Sequence, residues 1–263
     1  MRQDPMRVGM IGLGAIGLAV SRLLRDRGAD AFAVVGAVVR DPDRPRPADA
    51  PPVAASVSEL LAARPEVVVE AGGHAALRQH GAAVLRGGCD LLMVSVGALA
   101  DPALEAEIRA AARASGARAR IASGGIGALD AIASAAIGGL DRVTHSVRKP
   151  ARTLLDAAGA ARLTAPREMF RGPAREGVVR FPESINVAAA VSLAGIGLDR
   201  TEVCVIADPA AEYNHHEVVA QGAFGLLRFE IRNVPSENPR TGRLVAMSLV
   251  HELELRRAAL SVG

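Results

Sequence analysis

The chain has 263 residues, of which 50% are hydrophobic and 22% are charged. This length suits two domains of ordinary size, and the large apolar fraction excludes a chain that is disordered throughout. The net charge is only +3, and with no Trp and one Tyr the chain lacks the basic, aromatic surfaces of nucleic-acid-binding proteins. Its longest uncharged apolar stretches, Leu91–Ala100 and Val187–Leu198, are shorter than the ~20 residues of a membrane-spanning helix. We therefore expect a globular protein with neither a nucleic acid nor a membrane as partner.

Cysteine and lysine are both rare in this chain. Cys89 and Cys204 lie far apart within apolar runs, which indicates buried thiols in a reducing cytoplasm and neither a disulfide nor a metal site. Lys149 is the single lysine beside thirty arginines. A general preference for arginine accounts for the thirty, and the remaining lysine is either incidental or has a role that a guanidinium cannot fill.

The first part of the chain alternates short apolar runs with stretches of helical periodicity, which predicts a parallel sheet covered on both faces. A Pro-rich segment, Asp41–Pro52, is expected to be a solvent-exposed loop. The predicted strands are Arg7–Gly12, Phe32–Val39, Glu66–Glu70, Asp90–Val96 and Arg118–Ala122, and the predicted helices are Ala15–Arg27, Ala75–Arg86 and Asp101–Ser115.

A glycine-rich turn joins the first strand to the first helix. Gly12, Gly14 and Gly17 fit the pattern G-x-G-x-x-G, with Ala15 and Ile16 between the last two glycines. In this context the first glycine permits a tight turn, the second lets a pyrophosphate approach the backbone, and the third lets the helix pack closely on the strand. The sequence therefore predicts an N-terminal Rossmann domain that binds NAD or NADP through these five residues.

The end of the second strand bears on the choice between the two cofactors. An acid at this position holds the ribose 2′-hydroxyl of NAD, whereas Val39 and Arg40 stand here. Arg40 is placed to meet the 2′-phosphate of NADP; alternatively, Asp41 holds the ribose and Arg40 is simply solvated. The sequence leaves these two interpretations open.

A second domain is predicted over residues 123–240. The segment Ser123–Gly127 (SGGIG) is expected to open a helix that runs to about Ile137, and its backbone could lie near the nicotinamide. A final helix over Gly242–Arg257, with Thr241 as its N-cap, is expected to pack back on the first domain, residues 1–122, within the C-terminal segment 241–263. The remaining predicted elements are a buried helix, Val187–Ile196, and the strands Glu202–Ala207, Glu217–Gln221 and Leu226–Asn233 of a mainly antiparallel sheet.

The densest polar cluster is Asn214-His215-His216-Glu217. On a strand the two histidines point to opposite faces, which argues against a shared metal ion. His216 and Asn214 share a face, so a histidine assisted by an amide is possible, although a single buried His is more often structural than catalytic. A dehydrogenase does need a group that titrates near neutrality.

Several motifs in order resemble the L-aspartate dehydrogenase family, which implies a Rossmann domain followed by an α+β domain of the dihydrodipicolinate-reductase-like type. They span nearly the whole chain and are GLGAIG at Gly12–Gly17, VVVEAGGH at Val67–His74, SVGAL at Ser95–Leu99, SGGIGALDA at Ser123–Ala131, RKP at Arg148–Pro150, the segment Phe170–Gly197, ADP at Ala207–Pro209, NHHE at Asn214–Glu217 and ENPRTG at Glu237–Gly242.

The resemblance implies reversible, NAD(P)-dependent oxidative deamination of L-aspartate to iminoaspartate, which water converts to oxaloacetate and ammonia, in a homodimer that could feed NAD biosynthesis. It places the catalytic acid/base on His216 and nicotinamide contacts on Gly125 and Asn186. Lys149 and Asn214 are candidates for binding the substrate. Two rival functions are another reductase of the same fold, similar to dihydrodipicolinate reductase or homoserine dehydrogenase, and a noncatalytic NAD(P) sensor.

Overall fold

The computed structural model describes residues 4–182, 185–234, 236 and 241–262. The chain forms two compact units, one comprising Met1–Ala122 and Val245–Val262 and the other comprising Ser123–Leu244. We call them unit 1 and unit 2. Two parts of the family-like motifs, 183–184 and 237–240, lie outside the described residues.

Unit 1 contains a six-stranded parallel sheet in the order β3-β2-β1-β4-β5-β6. This is the strand order of a dinucleotide-binding Rossmann domain, so the predicted fold class is confirmed. The central strands are buried on both faces, as their runs of Val, Ile and Leu predict. The strands are β1 (Met6–Ile11), β2 (Phe32–Val38), β3 (Val53–Ala54), β4 (Val67–Glu70), β5 (Asp90–Met93) and β6 (Ala119–Ile121).

Four helices connect these strands: α1 (Ala15–Asp26), α2 (Val57–Ala62), α3 (His74–Arg86) and α4 (Pro102–Ser115). The prediction missed α2, although the sequence carries a start signal for it. The Ser56 side chain accepts a hydrogen bond from the Glu59 N–H at 3.1 Å, and the Glu59 carboxylate accepts one from the Ala55 N–H at 2.8 Å. Such reciprocal capping stabilises a short helix.

Among the strands of unit 1, β5 falls furthest short of its prediction, Asp90–Val96. The strand β5 ends at Met93, and Val96–Ala100 forms a 3₁₀ helix instead of continuing it. The apolar run misled the prediction because this helix is as buried as a strand: all five of its residues are buried.

Unit 2 contains a five-stranded sheet in the order β11-β10-β7-β9-β8. Among the strand pairs that the structure describes here, β7 with β9 is parallel and the other three are antiparallel, so the sheet is mainly antiparallel, as predicted. The strands are β7 (Leu140–Pro150), β8 (Arg167–Pro173), β9 (Glu202–Asp208), β10 (Asn214–Gly222) and β11 (Gly225–Asn233).

Helices cover one face of this sheet. Ile132 and Val191 join Val143 and Val218 of the sheet in a buried apolar cluster. This contact leaves the alternate residues of the central strands inside and their neighbours partly exposed. The helices of unit 2 are α5 (Leu129–Ile137), α6 (Ala157–Arg162), α7 (Ala174–Arg180) and α8 (Asn186–Ala194).

The last helix, α9 (Leu244–Leu255), contributes Leu249 and Leu253 to the same buried cluster as Met10 of unit 1. Because α9 begins at Leu244, the expectation that Thr241 is its N-cap was wrong. The Thr241 hydroxyl lies 2.6 Å from the Ser236 hydroxyl instead, and its carbonyl accepts the Ser236 N–H. Over the described ranges, no helix combines the length and apolar character that crossing a membrane requires.

Candidate active site

The glycine turn of unit 1 has the geometry that its three glycines predict. Gly12 has a φ of +91°, and a Cβ on it would lie 2.5 Å from the Cα of Gly72. A Cβ on Gly17 would lie 2.1 Å from the carbonyl oxygen of Gly12. Both positions therefore need glycine for the packing of the chain on itself.

Gly14 differs from the other two glycines. A Cβ placed on it would meet nothing within 4 Å, and its φ of −78° is open to any residue. It is the N-cap of α1 and provides no side-chain cap for the helix N–H groups. This open space at an uncapped helix N-terminus fits the pyrophosphate of a dinucleotide, with Ala15 and Ile16 in the first helical turn.

A buried carboxylate supports this turn from behind. Glu70, at the end of β4, accepts hydrogen bonds from the N–H groups of Gly72 and Gly73 at 2.8 and 3.1 Å. It also accepts hydrogen bonds from the N–H and the hydroxyl of Ser95. Burial raises the pKa of Glu70, while these four donors act in the opposite direction. Glu70 thereby fixes Gly72, the residue against which Gly12 packs.

The end of β2 presents a free cation. Arg40 is exposed, and in the part of the chain that the structure describes it has no ion pair. Asp41 accepts a hydrogen bond from the Asp43 N–H at 3.1 Å, so its carboxylate is engaged within its own loop.

In unit 2, β10 presents its polar residues alternately to the two faces of the sheet. Asn214 and His216 are buried, whereas His215 and Glu217 are partly exposed on the other face. The Nε2 of His215 lies 3.4 Å from a carboxylate oxygen of Glu230 on β11. The two adjacent histidines thus have separate surroundings, as the strand alternation predicts.

His216 lies opposite Val147 of β7, so His145 and Lys149, two residues to either side of Val147, share its face. His145 Nε2 and His216 Nδ1 are 3.0 Å apart and form a hydrogen bond. His145 is 0% exposed, Lys149 3% and His216 4%. We call these three residues the basic cluster.

Burial dominates the titration of the basic cluster. It lowers the pKa of Lys149 to about 8 and, together with the charge of Lys149, that of His145 to about 3. The pKa of His216 is lowered well below its usual value, chiefly by burial and further by His145, Lys149 and His215. At neutral pH the two rings are therefore neutral, and Lys149 carries the charge.

On the other face of the same sheet, charged side chains form ion pairs. Arg148 pairs with Asp208 at 2.9 Å, and Arg228 pairs with Glu217 and Glu230. Among the described residues, by contrast, no carboxylate pairs with Lys149. A buried cation without a counter-ion is a strong signal for an anionic ligand.

The segment that holds Gly125 differs from its prediction. Helix α5 begins at Leu129, after Ala128 in the left-handed conformation with a φ of 60°, so SGGIG forms a turn and does not open the helix. The Gly125 carbonyl accepts a hydrogen bond from the Asn233 side chain at 2.6 Å. Asn233 lies opposite Asn214 in the pairing of β11 with β10, which connects this turn to the face of β10 that carries His216. Asn186 is the first residue of α8.

The structure groups the predicted residues in two sets. Unit 1 holds the glycine turn and Arg40; unit 2 holds Gly125, Lys149, Asn186, Asn214 and His216.

Sequence reasoning missed His145 and Glu70. His145 and Lys149 alternate with Val143 and Val147 along β7, a period-2 pattern that was a usable signal. Over the described residues, no group of three or more His, Cys, Asp or Glu side chains could hold a metal ion.

Together, the strand order of unit 1, its glycine turn and the basic cluster of unit 2 define a nicotinamide-dinucleotide-dependent oxidoreductase. Comparisons with known proteins agree. Residues 12–122 match the homoserine dehydrogenase NAD-binding domain, and residues 130–256 match the aspartate dehydrogenase C-terminal domain.

Full-length relatives identify the family. The chain is 43% identical to L-aspartate dehydrogenase of Ruegeria pomeroyi, over 98% of this chain and 94% of that one. It is 40% identical to L-aspartate dehydrogenase 2 of Bordetella bronchiseptica, over 98% and 99%. The crystal structure of aspartate dehydrogenase from Thermotoga maritima matches with a TM-score of 0.79 at 26% identity, over 98% and 99% of the two chains. The chain belongs to the L-aspartate dehydrogenase family, which confirms the resemblance seen in the sequence.

The glycine turn leads to a paired prediction. Gly14→Val should fold with near-normal stability, because a Cβ at this position lies more than 4 Å from the other described atoms, yet it should lose cofactor affinity because the side chain fills the pyrophosphate space. Gly17→Val should instead lower the free energy of unfolding, because its Cβ collides with the Gly12 carbonyl. Fluorescence titration with NADH and NADPH and urea denaturation separate the two effects. Normal cofactor affinity in folded Gly14→Val would show that the loop is only a turn.

Proposed function

We propose that this chain catalyses the reversible, NAD(P)-dependent oxidative deamination of L-aspartate to iminoaspartate, which water converts to oxaloacetate and ammonia. The observation that carries the proposal is the basic cluster: one buried ammonium with no carboxylate partner among the described residues, beside a pair of buried imidazoles. Family membership supports the choice of aspartate. We further propose that unit 1 is the cofactor domain, with α9 as part of it, and that unit 2 is the catalytic and oligomerisation domain.

Lys149 would bind a carboxylate of the substrate. In a site of low dielectric constant, an ammonium–carboxylate pair is much stronger than in water, and the substrate would supply a carboxylate that the described part of the chain does not provide. Binding would also stabilise the charged form of Lys149, because an adjacent carboxylate favours the protonated amine. Asn214, buried on the same face as His216, would add an amide for a second polar group.

His216 would move the protons of the reaction. Its Nδ1 is occupied by His145, so its Nε2 is the atom that would exchange a proton with the substrate or with the attacking water. The nicotinamide, when bound, accepts the hydride from the α-carbon of aspartate. Gly125 and Asn186 are proposed as contacts that orient its carboxamide, alongside the phosphate contacts of the glycine turn.

Arg40 would favour NADP. It is exposed at the end of β2, and the nearest candidate for holding a ribose hydroxyl, Asp41, is engaged with Asp43. A guanidinium can bind a 2′-phosphate through two parallel hydrogen bonds. We therefore propose that the enzyme uses NADP at least as well as NAD.

We also propose a cytoplasmic homodimer assembled through the sheet of unit 2, with a product that could enter NAD biosynthesis. The free thiols of Cys89 and Cys204 support the cytoplasmic location. Two exposed apolar residues support the dimer: Leu226 on the edge strand β11 and Phe224 just before it. Light scattering on the purified protein measures the mass of the assembly, and a monomer at micromolar concentration would contradict the dimer.

Lys149→Met should raise KM for aspartate by about tenfold or more, because a buried charged hydrogen bond is lost. It should leave cofactor affinity unchanged and should not lower the free energy of unfolding, since it removes a buried charge that has no ion-pair partner in the described ranges. Arg148→Met is the matched control on the opposite face and should keep the wild-type KM. Steady-state kinetics with urea denaturation test both variants, and an unchanged KM in Lys149→Met would reject its role.

Arg40→Ala should weaken NADPH binding by about tenfold while NADH binding changes little, because only NADPH carries the 2′-phosphate. Calorimetric titration of both cofactors measures the difference. An equal loss for the two cofactors would assign Arg40 a structural role.

His216→Ala should lower kcat for aspartate oxidation by about 10²–10⁴, the usual effect of losing a positioned acid/base, while cofactor binding persists. His215→Ala is the matched control and should have a mild effect, because His215 lies on the other face beside Glu230. Absorbance at the reduced-nicotinamide band, with NAD and NADP, measures turnover. Near-normal kcat in folded His216→Ala, or a wild type that binds cofactor but never oxidises aspartate, would contradict the proposal.

A further inference from the structure

The contact between His145 and His216 has a specific geometry. Their rings lie within 2° of parallel, with centroids 5.3 Å apart, and the nitrogens that face each other are 3.0 Å apart. His145 is on β7 and His216 is on β10, so the sheet register holds both ends of this contact. A hydrogen bond between two buried, strand-anchored rings restricts the rotation of both.

We propose that His145 is a positioning residue for His216, which holds its Nδ1 and ring plane so that proton exchange with the substrate takes place at Nε2 alone. This inference rests on the proposed function of His216 as the acid/base. It gives a defined role to His145, which is 0% exposed and lies outside the sequence motifs that resemble the family.

The protonated state of His216 explains why a partner is needed. When Nε2 takes up a proton, both ring nitrogens carry hydrogens, and the buried Nδ1–H must donate to an acceptor. His145 Nε2 is within hydrogen-bond distance of it. Without that acceptor, a buried N–H would be unpaired, which destabilises the protonated ring.

His145 acts here as a neutral group. Burial, reinforced by Lys149, lowers its pKa to about 3, so above that pH it adds no positive charge beside His216. The groups that act on His216 are His145 and Lys149 on its own face and His215 from the other. The His145 Nδ1 is buried and has no hydrogen-bond partner in the described part of the chain, so the hydrogen-bonded pair ends at this atom.

The test is a comparison of His145→Phe with His145→Gln in the full-length enzyme. Phenylalanine keeps a ring of similar size without nitrogen, whereas the amide of glutamine reaches the position of Nε2. We expect His145→Phe to lower kcat by about tenfold to a hundredfold, with little change in KM and in cofactor affinity. Its acid limb in the pH profile of kcat/KM should move to lower pH, because the protonated form of His216 loses a hydrogen bond.

His145→Gln should recover most of kcat and return the acid limb toward that of the wild type. If His145 served only packing, His145→Phe would change the free energy of unfolding and leave the pH profile in place, and this result would overturn the inference. Equal kcat losses in both variants would overturn it as well.

Nitrogen NMR of the ¹⁵N-histidine-labelled wild type provides a test that needs no variant. A scalar coupling between His145 Nε2 and His216 Nδ1 across the hydrogen bond is expected, and its absence would contradict the inference. This measurement also separates two failures. A wild type that never oxidises aspartate rejects the proposed function, while the coupling still decides whether the two rings are joined.

Discussion

Three basic side chains, His145, Lys149 and His216, are buried together on one face of the sheet of unit 2, and the cost of burying charge there determines how the site can work. Desolvation lowers the pKa of both imidazoles, which stay neutral, and it also lowers the pKa of Lys149. On the opposite face of the same sheet, Arg148 and Arg228 have carboxylate partners. One face of the sheet thus carries paired charges, while the other carries a site in which burial leaves only one of the three bases charged.

In unit 1 the main constraint is the close packing of backbone atoms around the glycine turn, not the burial of charge. Gly12 and Gly17 are required by contacts within the protein, whereas a Cβ on Gly14 would meet none of the described residues within 4 Å. Glu70 connects these contacts, because it fixes the turn of Gly72 and Gly73 against which Gly12 packs. The proposed cofactor binding would therefore depend on backbone donors of unit 1, and the proposed substrate binding on side chains of unit 2.

The sequence predicted what depends on local pattern and missed what depends on long-range register. The glycine turn, the parallel sheet and the opposite orientations of His215 and His216 follow from spacing alone. The partner of His216 does not, because His145 is 71 positions away and the pairing of β7 with β10 brings the two rings together. Thr241 shows the converse error: a good capping residue was available, but the helix begins three residues later and Thr241 bonds to Ser236.

The arginine-rich composition has a practical consequence for labelling the protein. Because Lys149 is the single lysine and is 3% exposed, amine-directed reagents have one internal target, and it lies within the basic cluster. Acylating agents, lysine-directed cross-linkers and lysine-specific proteases therefore report on the opening of this one position, with the amino terminus as the other reactive amine. In most proteins of this size such reagents average over many surface lysines; here their reaction rate measures how often one buried amine becomes accessible.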